Sequence, residues 1–127
     1  MENLNYTGYT ILIAEDNESN FEYLRQTFKP TGLTILHASN GKDAIDHCLA
    51  HPEIKLVLMD GMMPVMTGYD ATREIRKFNP ELPVVVLTAY VSQTSIRDAV
   101  ASGCTDYLAK PIGKEELLSV LKKWLVI

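Results

Sequence analysis

The chain is short of cysteine, of long apolar runs and of charge blocks, and each shortage removes a class of protein. Cys48 and Cys104 are the only cysteines and stand far apart, outside any C-x-x-C spacing. Neither a disulfide framework nor a redox motif is indicated, and a reducing cytoplasm is the expected compartment. No apolar run approaches the roughly 18 residues a membrane span needs. The opening MENLNYTGY lacks the basic start and apolar stretch of a secretory leader. Runs of Lys and Arg are missing as well, and a formal net charge of -4 argues against direct binding to nucleic acid or to an anionic membrane. There is no Cys/His zinc spacing, no G-x-G-x-x-G and no Walker loop, so the usual signatures of zinc and nucleotide sites are absent.

What is present suits one domain: 127 residues, 46% of them hydrophobic, are enough for a single continuous core and too few for two domains of usual size. Five short β-prone runs stand out: TILIA from Thr10, LTILHA from Leu33, IKLVLM from Ile54, PVVVLTA from Pro83 and TDYLA from Thr105. A helix-like segment follows each, over 17–28, 40–50, 67–78, 92–102 and 113–125. Phe21, Leu24 and Phe28 recur at i, i+3, i+7, and Leu117, Leu121 and Trp124 at i, i+4, i+7. Thr67 with Asp70, and Asn40 with Asp43, have the form of capping boxes; Pro52 and Pro80 stop the helices before them. Near-continuous runs such as LVLM and VVVL belong to strands covered on both faces, which predicts a parallel sheet between helix layers, a five-fold βα repeat in one α/β sandwich. The first eight residues are expected to form a flexible tail.

One stretch does not fit a purely structural reading. In LVLMDGMMPVMTG, Leu56 to Gly68, an apolar strand runs straight into Asp60, and desolvating a lone carboxylate is costly. Parallel alignment brings the C-terminal ends of the strands to one edge, where open α/β folds hold ligands. That edge gathers Glu15 and Asp16 after the first strand, Asp60 after the third, Thr88 at the fourth and Lys110 after the fifth. Two carboxylates about 4 Å apart repel by about 4 kcal/mol at an effective dielectric of about 20. Lys110 offsets part of this, and a hard dication would offset the rest. With no His or Cys at the edge, Mg²⁺ is favoured over zinc. Such a pocket suits phosphoryl transfer, with Asp60 as nucleophile, Lys110 drawing charge from the phosphoryl oxygens and Thr88 donating a hydrogen bond.

Glu15-Asp16, the segment Asp60-Gly61-Met62-Met63-Pro64 with Gly68, the pair Thr88-Ala89, and Tyr107-Leu108-Ala109-Lys110-Pro111 together resemble the receiver domain of two-component response regulators, from about Thr10 to the last helix. ILIAEDNESN is also similar to receivers attached to hybrid sensor histidine kinases, which favours a piece of a longer protein over a stand-alone regulator, both being compatible with the resemblance. The resemblance implies a flavodoxin-like (βα)5 three-layer sandwich with a five-stranded parallel sheet of order 2-1-3-4-5. It implies that Asp60 takes a phosphoryl group from a phosphohistidine on a sensor histidine kinase or a histidine phosphotransfer domain. It further implies that Asp16 ligates Mg²⁺ directly, Glu15 mostly through water, and Met62 through its backbone carbonyl beside Asp60. Thr88 and Tyr107 are the implied switch pair, remodelling the face of the fourth helix, fifth strand and fifth helix. The Lys110–Pro111 bond is commonly cis in this family. Homodimerisation on phosphorylation is compatible with the resemblance, whereas direct binding to nucleic acid or membrane is not expected. Relatives often carry two aspartates where Glu15-Asp16 stands. Met62 and Tyr90 stand at the positions two after Asp60 and two after Thr88, which in this family flank the path of attacking water; both are bulky here, and the resemblance therefore implies a long-lived phosphoryl group.

Competing readings use the same residues. A haloacid-dehalogenase-like hydrolase with Asp60 as nucleophile needs a second acid two residues on, where this chain has Met62. A flavodoxin-like flavin or nucleotide binder lacks its phosphate loop, and a degenerate receiver is disfavoured by the intact set of five. His47 and His51 have i, i+4 spacing with Asp43 a turn earlier, which suits a transition metal, but histidines at a helix C-terminus before Pro52 also have an ordinary electrostatic role. His37 and the cluster of Met59, Met62, Met63 and Met66 are read as packing residues.

Overall fold

The computed structural model describes residues 4–89 and 91–125. Along the chain these form β1 (Thr10–Ala14), α1 (Glu18–Phe28), a short 3-10 turn (Lys29–Thr31), β2 (Thr34–Ala38) and α2 (Gly41–Ala50). The second half gives β3 (Ile54–Asp60), α3 (Gly68–Phe78), β4 (Val84–Thr88), α4 (Gln93–Ser102), β5 (Asp106–Ala109) and α5 (Lys114–Trp124). The strands pair in parallel in the order β2-β1-β3-β4-β5, as the resemblance implied.

The apolar runs are continuous because alternate residues face opposite layers. Leu12, Val57, Met59, Val84 and Val86 pack with Ala44, Ala71, Ile75 and Ala99 of α2, α3 and α4. Ile11, Ile13, Leu56, Leu58, Val85 and Leu87 point the other way, onto Leu24 and Phe28 of α1 and Leu117 and Leu121 of α5. Both faces are dry, so the polar ends of the strands are where ionisable groups collect.

Helix starts follow the side-chain chemistry. Asn17, Asn40 and Thr67 each accept a hydrogen bond from the N–H three residues on, at 2.9, 2.8 and 3.1 Å. The reciprocal half of a box at Thr67 is replaced by the Asp70–Arg73 ion pair on the next turn. A full box forms at α4, where Ser92 and Ser95 each accept the other's N–H. Gly113 begins α5 without a side-chain cap.

The segment before β1 departs from the expected flexible tail. Tyr6 is only 2% exposed, donates its N–H to Thr31 O at 2.6 Å and packs edge-on against Tyr9. The cause is apolar: Leu4, Tyr6 and Tyr9 complete the core between α1 and the sheet beside Phe28. Met1 to Asn3 of that expectation lie outside the described residues, as do Tyr90, Val126 and Ile127. Methionines divide as well: Met59 and Met63 are buried, whereas Met62 is 68% exposed, on the loop after β3, and not a packing residue.

Candidate functional site

Sheet register brings the site residues together. Ala14 pairs with Met59, Asp60 with Leu87, and Thr88 with Ala109. Glu15, Asp60, Thr88 and Lys110 therefore stand at neighbouring strand ends. The loop after β3 is pulled under this edge by close backbone approach. Gly68 donates its N–H to Gly61 O at 3.0 Å, and a Cβ at Gly68 would lie 2.0 Å from Asp60 O, so only glycine fits there.

Carboxylate oxygens of Glu15, Asp16 and Asp60 lie within 4.8 Å of one another. Glu15 is 1% exposed and its Oε1 accepts from Lys110 Nζ at 2.6 Å, while Asp60 Oδ2 is 3.6 Å from the same ammonium. The N–H of Asn17 reaches Glu15 Oε2 at 3.2 Å and that of Met62 reaches Asp60 Oδ1 at 3.3 Å. Burial, then the charge of Glu15 and a hydrogen bond to it, push the Asp60 carboxyl up to about 7; Lys110 and the Met62 N–H pull the other way. Buried Thr88 lies on β4 across the cleft, and its carbonyl fixes the start of the Lys110 loop by accepting the Lys110 N–H at 2.7 Å. Tyr107, on β5, is half-buried against the core on the α3–α4 side. Lys110–Pro111 is cis.

The cleft has a volume of about 420 Å³, and its far wall comes from the start of α4 through Ser92, Thr94, Ser95 and Asp98. A reading of strand ends alone misses that wall, although 94, 95 and 98 fall on one helical face. Tyr69 also lines the cleft, its ring lying where a side chain at Gly61 would go. The donor set is all oxygen and anionic with one cation, which fits Mg²⁺ and does not suit a soft metal. Among the described residues no second group of three acid, His or Cys side chains converges in this way. His47 on α2 and His51 at its C-terminal cap stack at 5.8 Å, and His51 pairs with Glu53 at 3.2 Å. His37 stacks on Phe21 at 3.7 Å and its Nε2 lies 2.8 Å from Glu15 O, a packing role beside the site.

Fold and site together define an open parallel α/β domain with an acidic, lysine-bearing edge. The comparisons make the assignment specific: the response regulator receiver domain family matches residues 11–122, and the chain belongs to that family. It is a receiver domain of two-component signal transduction. It is similar to a sensor histidine kinase of Helicobacter pylori, CheAY, with 34% identity over 92% of this chain and 15% of that protein. Hybrid signal transduction histidine kinase A of Dictyostelium discoideum is 36% identical over 89% of this chain and 6% of its own length. The chain thus spans a small fraction of the kinases it matches. Among solved structures it resembles Vibrio cholerae CheY4, with 26% identity, a TM-score of 0.84 and coverage of 92% of this chain and 98% of that one. It also resembles a chain in the complex of the Saccharomyces cerevisiae phosphotransfer protein Ypd1 with the receiver domain of Ssk1, with 30% identity, a TM-score of 0.83 and coverage of 91% and 88%. No described helix is long and apolar enough to cross a membrane.

Proposed function

We propose that Asp60 is the phosphoacceptor of this receiver, loaded from a phosphohistidine on a sensor histidine kinase or a histidine phosphotransfer domain. The observation that carries the reading is one ammonium, Lys110, held 2.6 Å from Glu15 and 3.6 Å from Asp60 where three carboxylates converge. A carboxylate oxygen of Asp60 attacks phosphorus, the N–P bond of the donor breaks, and its electron pair stays on the imidazole nitrogen, which takes up a proton. The product is an acyl phosphate. Asp16, Asp60 and the Met62 carbonyl would hold Mg²⁺ directly and Glu15 through water; when bound, Mg²⁺ neutralises charge on the phosphoryl oxygens.

Lys110 balances Glu15 at rest and is close enough to pass to a phosphoryl oxygen on Asp60. In this reading Thr88 donates to a second oxygen and Tyr107 follows it, altering the face built from α4, β5 and α5. The added charge of about one unit biases that two-state face by the roughly 1–3 kcal/mol typical of coupling energies. The histidine-containing partner is supported by the Ypd1–Ssk1 complex, whose receiver is a relative in fold. As a signalling module this domain turns over no separate substrate, and signal output through homodimerisation of the α4 face belongs to the same proposal.

Incubation with Mg²⁺ and acetyl phosphate is expected to give one acid-stable, base-labile phosphate per chain, absent in Asp60→Asn. Multiple turnover of unrelated phosphate esters supports the hydrolase reading instead, and bound flavin colour the flavodoxin reading.

A further inference from the structure

We propose that Tyr23 is a positioning residue for Lys110, an inference that rests on the phosphoacceptor reading of Asp60. The Tyr23 hydroxyl, on α1, donates to the carbonyl of Ile112 at 2.7 Å, a contact that joins segments 89 residues apart. Ile112 lies two residues past Lys110, in the turn that carries the ammonium from β5 to α5.

Among the described residues that turn has few other polar anchors. On one side the Lys110 N–H reaches Thr88 O at 2.7 Å. On the other, Ile112 is 6% exposed, and α5 starts at Gly113 with no side-chain cap to hold its first turn. The Tyr23 phenol is thus the polar tie between the turn and the helix it crosses. Between them runs a groove of about 370 Å³ lined by Glu15, Asn20, Tyr23, Lys110, Pro111 and Ile112 among others. Glu15, Asn20 and Lys110 line the acidic cleft as well, so the two spaces meet at the ammonium.

Position matters here on a small scale. Lys110 Nζ sits 2.6 Å from Glu15 and 3.6 Å from Asp60, so one ammonium is within reach of both acids and the pose of its turn decides which oxygen it serves. A turn released on its α1 side lets the ammonium sample poses that miss that oxygen, and reactions are sensitive to misplacement of about 1 Å. Tyr23 is 46% exposed, so a protein seated on α1 touches the same side chain that steadies Lys110.

The test is a double-mutant cycle on the 127-residue chain: wild type, Tyr23→Phe, Lys110→Ala and the double variant, each loaded with acetyl phosphate at saturating Mg²⁺. Tyr23→Phe removes one oxygen and keeps the half-exposed ring, so the fold is retained, and a urea unfolding curve verifies this. The maximal loading rate is expected to fall about three- to tenfold, the worth of one neutral hydrogen bond, with Mg²⁺ affinity and half-saturating donor unchanged. In the Lys110→Ala background the same change should have no further effect. Equal rates for wild type and Tyr23→Phe, or multiplicative losses in the double variant, overturn the proposal alone. A wild-type chain that takes no label on Asp60 overturns the phosphoacceptor reading and this inference with it.

Discussion

Two groups of acids and bases on this molecule have similar composition and opposite character. At the C-terminal edge of the sheet, Glu15, Asp16, Asp60 and Lys110 come from three strand ends, and two of the acids are nearly sealed from water. Asp43, Asp46 and His47 of α2, with His51 at its C-terminal cap, come from one stretch of helix and line a shallow surface hollow. Convergence from separate elements is what forces charge into a dry place, since each backbone is committed elsewhere before the side chains meet. Residues on one helix face water together and relax. In the first group, burial and the neighbouring Glu15 push the Asp60 carboxyl up to about 7.

The comparison breaks most completely at Asp60: Asp60→Asn should abolish phosphate uptake, read by intact mass, whereas His47→Gln should leave the rate unchanged. Lys110→Ala should slow loading from acetyl phosphate by about a hundredfold, in the range of lost transition-state donors. Gly68→Ala drives a Cβ into Asp60 O and should cost about 2–4 kcal/mol in urea unfolding, with loading lost alongside, because the loop and the acid move together.

A pH experiment sharpens the contrast further. Asp60 holds its proton to about 7 when folded but only to the ordinary 3.8 when unfolded, so between those values the metal-free folded chain binds more protons. Its stability should fall as pH climbs through that window, and Asp60→Asn should raise metal-free stability at pH 8 by about 1–2 kcal/mol, a figure discounted for solvent access. Mg²⁺ uptake displaces that proton, so affinity should strengthen as pH rises toward 7. The smallest effect belongs to the loop: Met62→Asn opens a polar route for water at an exposed position and should shorten the phosphoryl lifetime by about threefold, followed by loss of label after donor removal.

The fold was legible because the central strands are buried on both faces and the first four helices begin at residues whose side chains accept a backbone N–H, α5 at Gly113 being the exception. The site was legible to the extent that it sits at strand ends. Asp60 and Lys110 are reachable once LVLMD and YLAKP are set beside Glu15-Asp16 and Thr88 at neighbouring strand ends. What sequence does not carry is the pairing inside the cluster: that Lys110 rests on Glu15 more closely than on Asp60 follows from the register of β1, β3 and β5. Nor does it show that Tyr6 fills a core gap, that Met62 faces outward while Met63 faces in, or that the Tyr23 phenol reaches Ile112. Those outcomes depend on which surfaces remain uncovered after the sheet and helices have packed.

The most direct measurement of the central claim is a Mg²⁺ titration followed by backbone amide NMR. The account predicts saturable shifts at Asn17, Gly61, Met62 and Ala89, weakened in Asp60→Asn, with the amides from Asp43 to Glu53 unmoved. Shifts centred on His47 and His51, or no saturation at millimolar Mg²⁺, would contradict it.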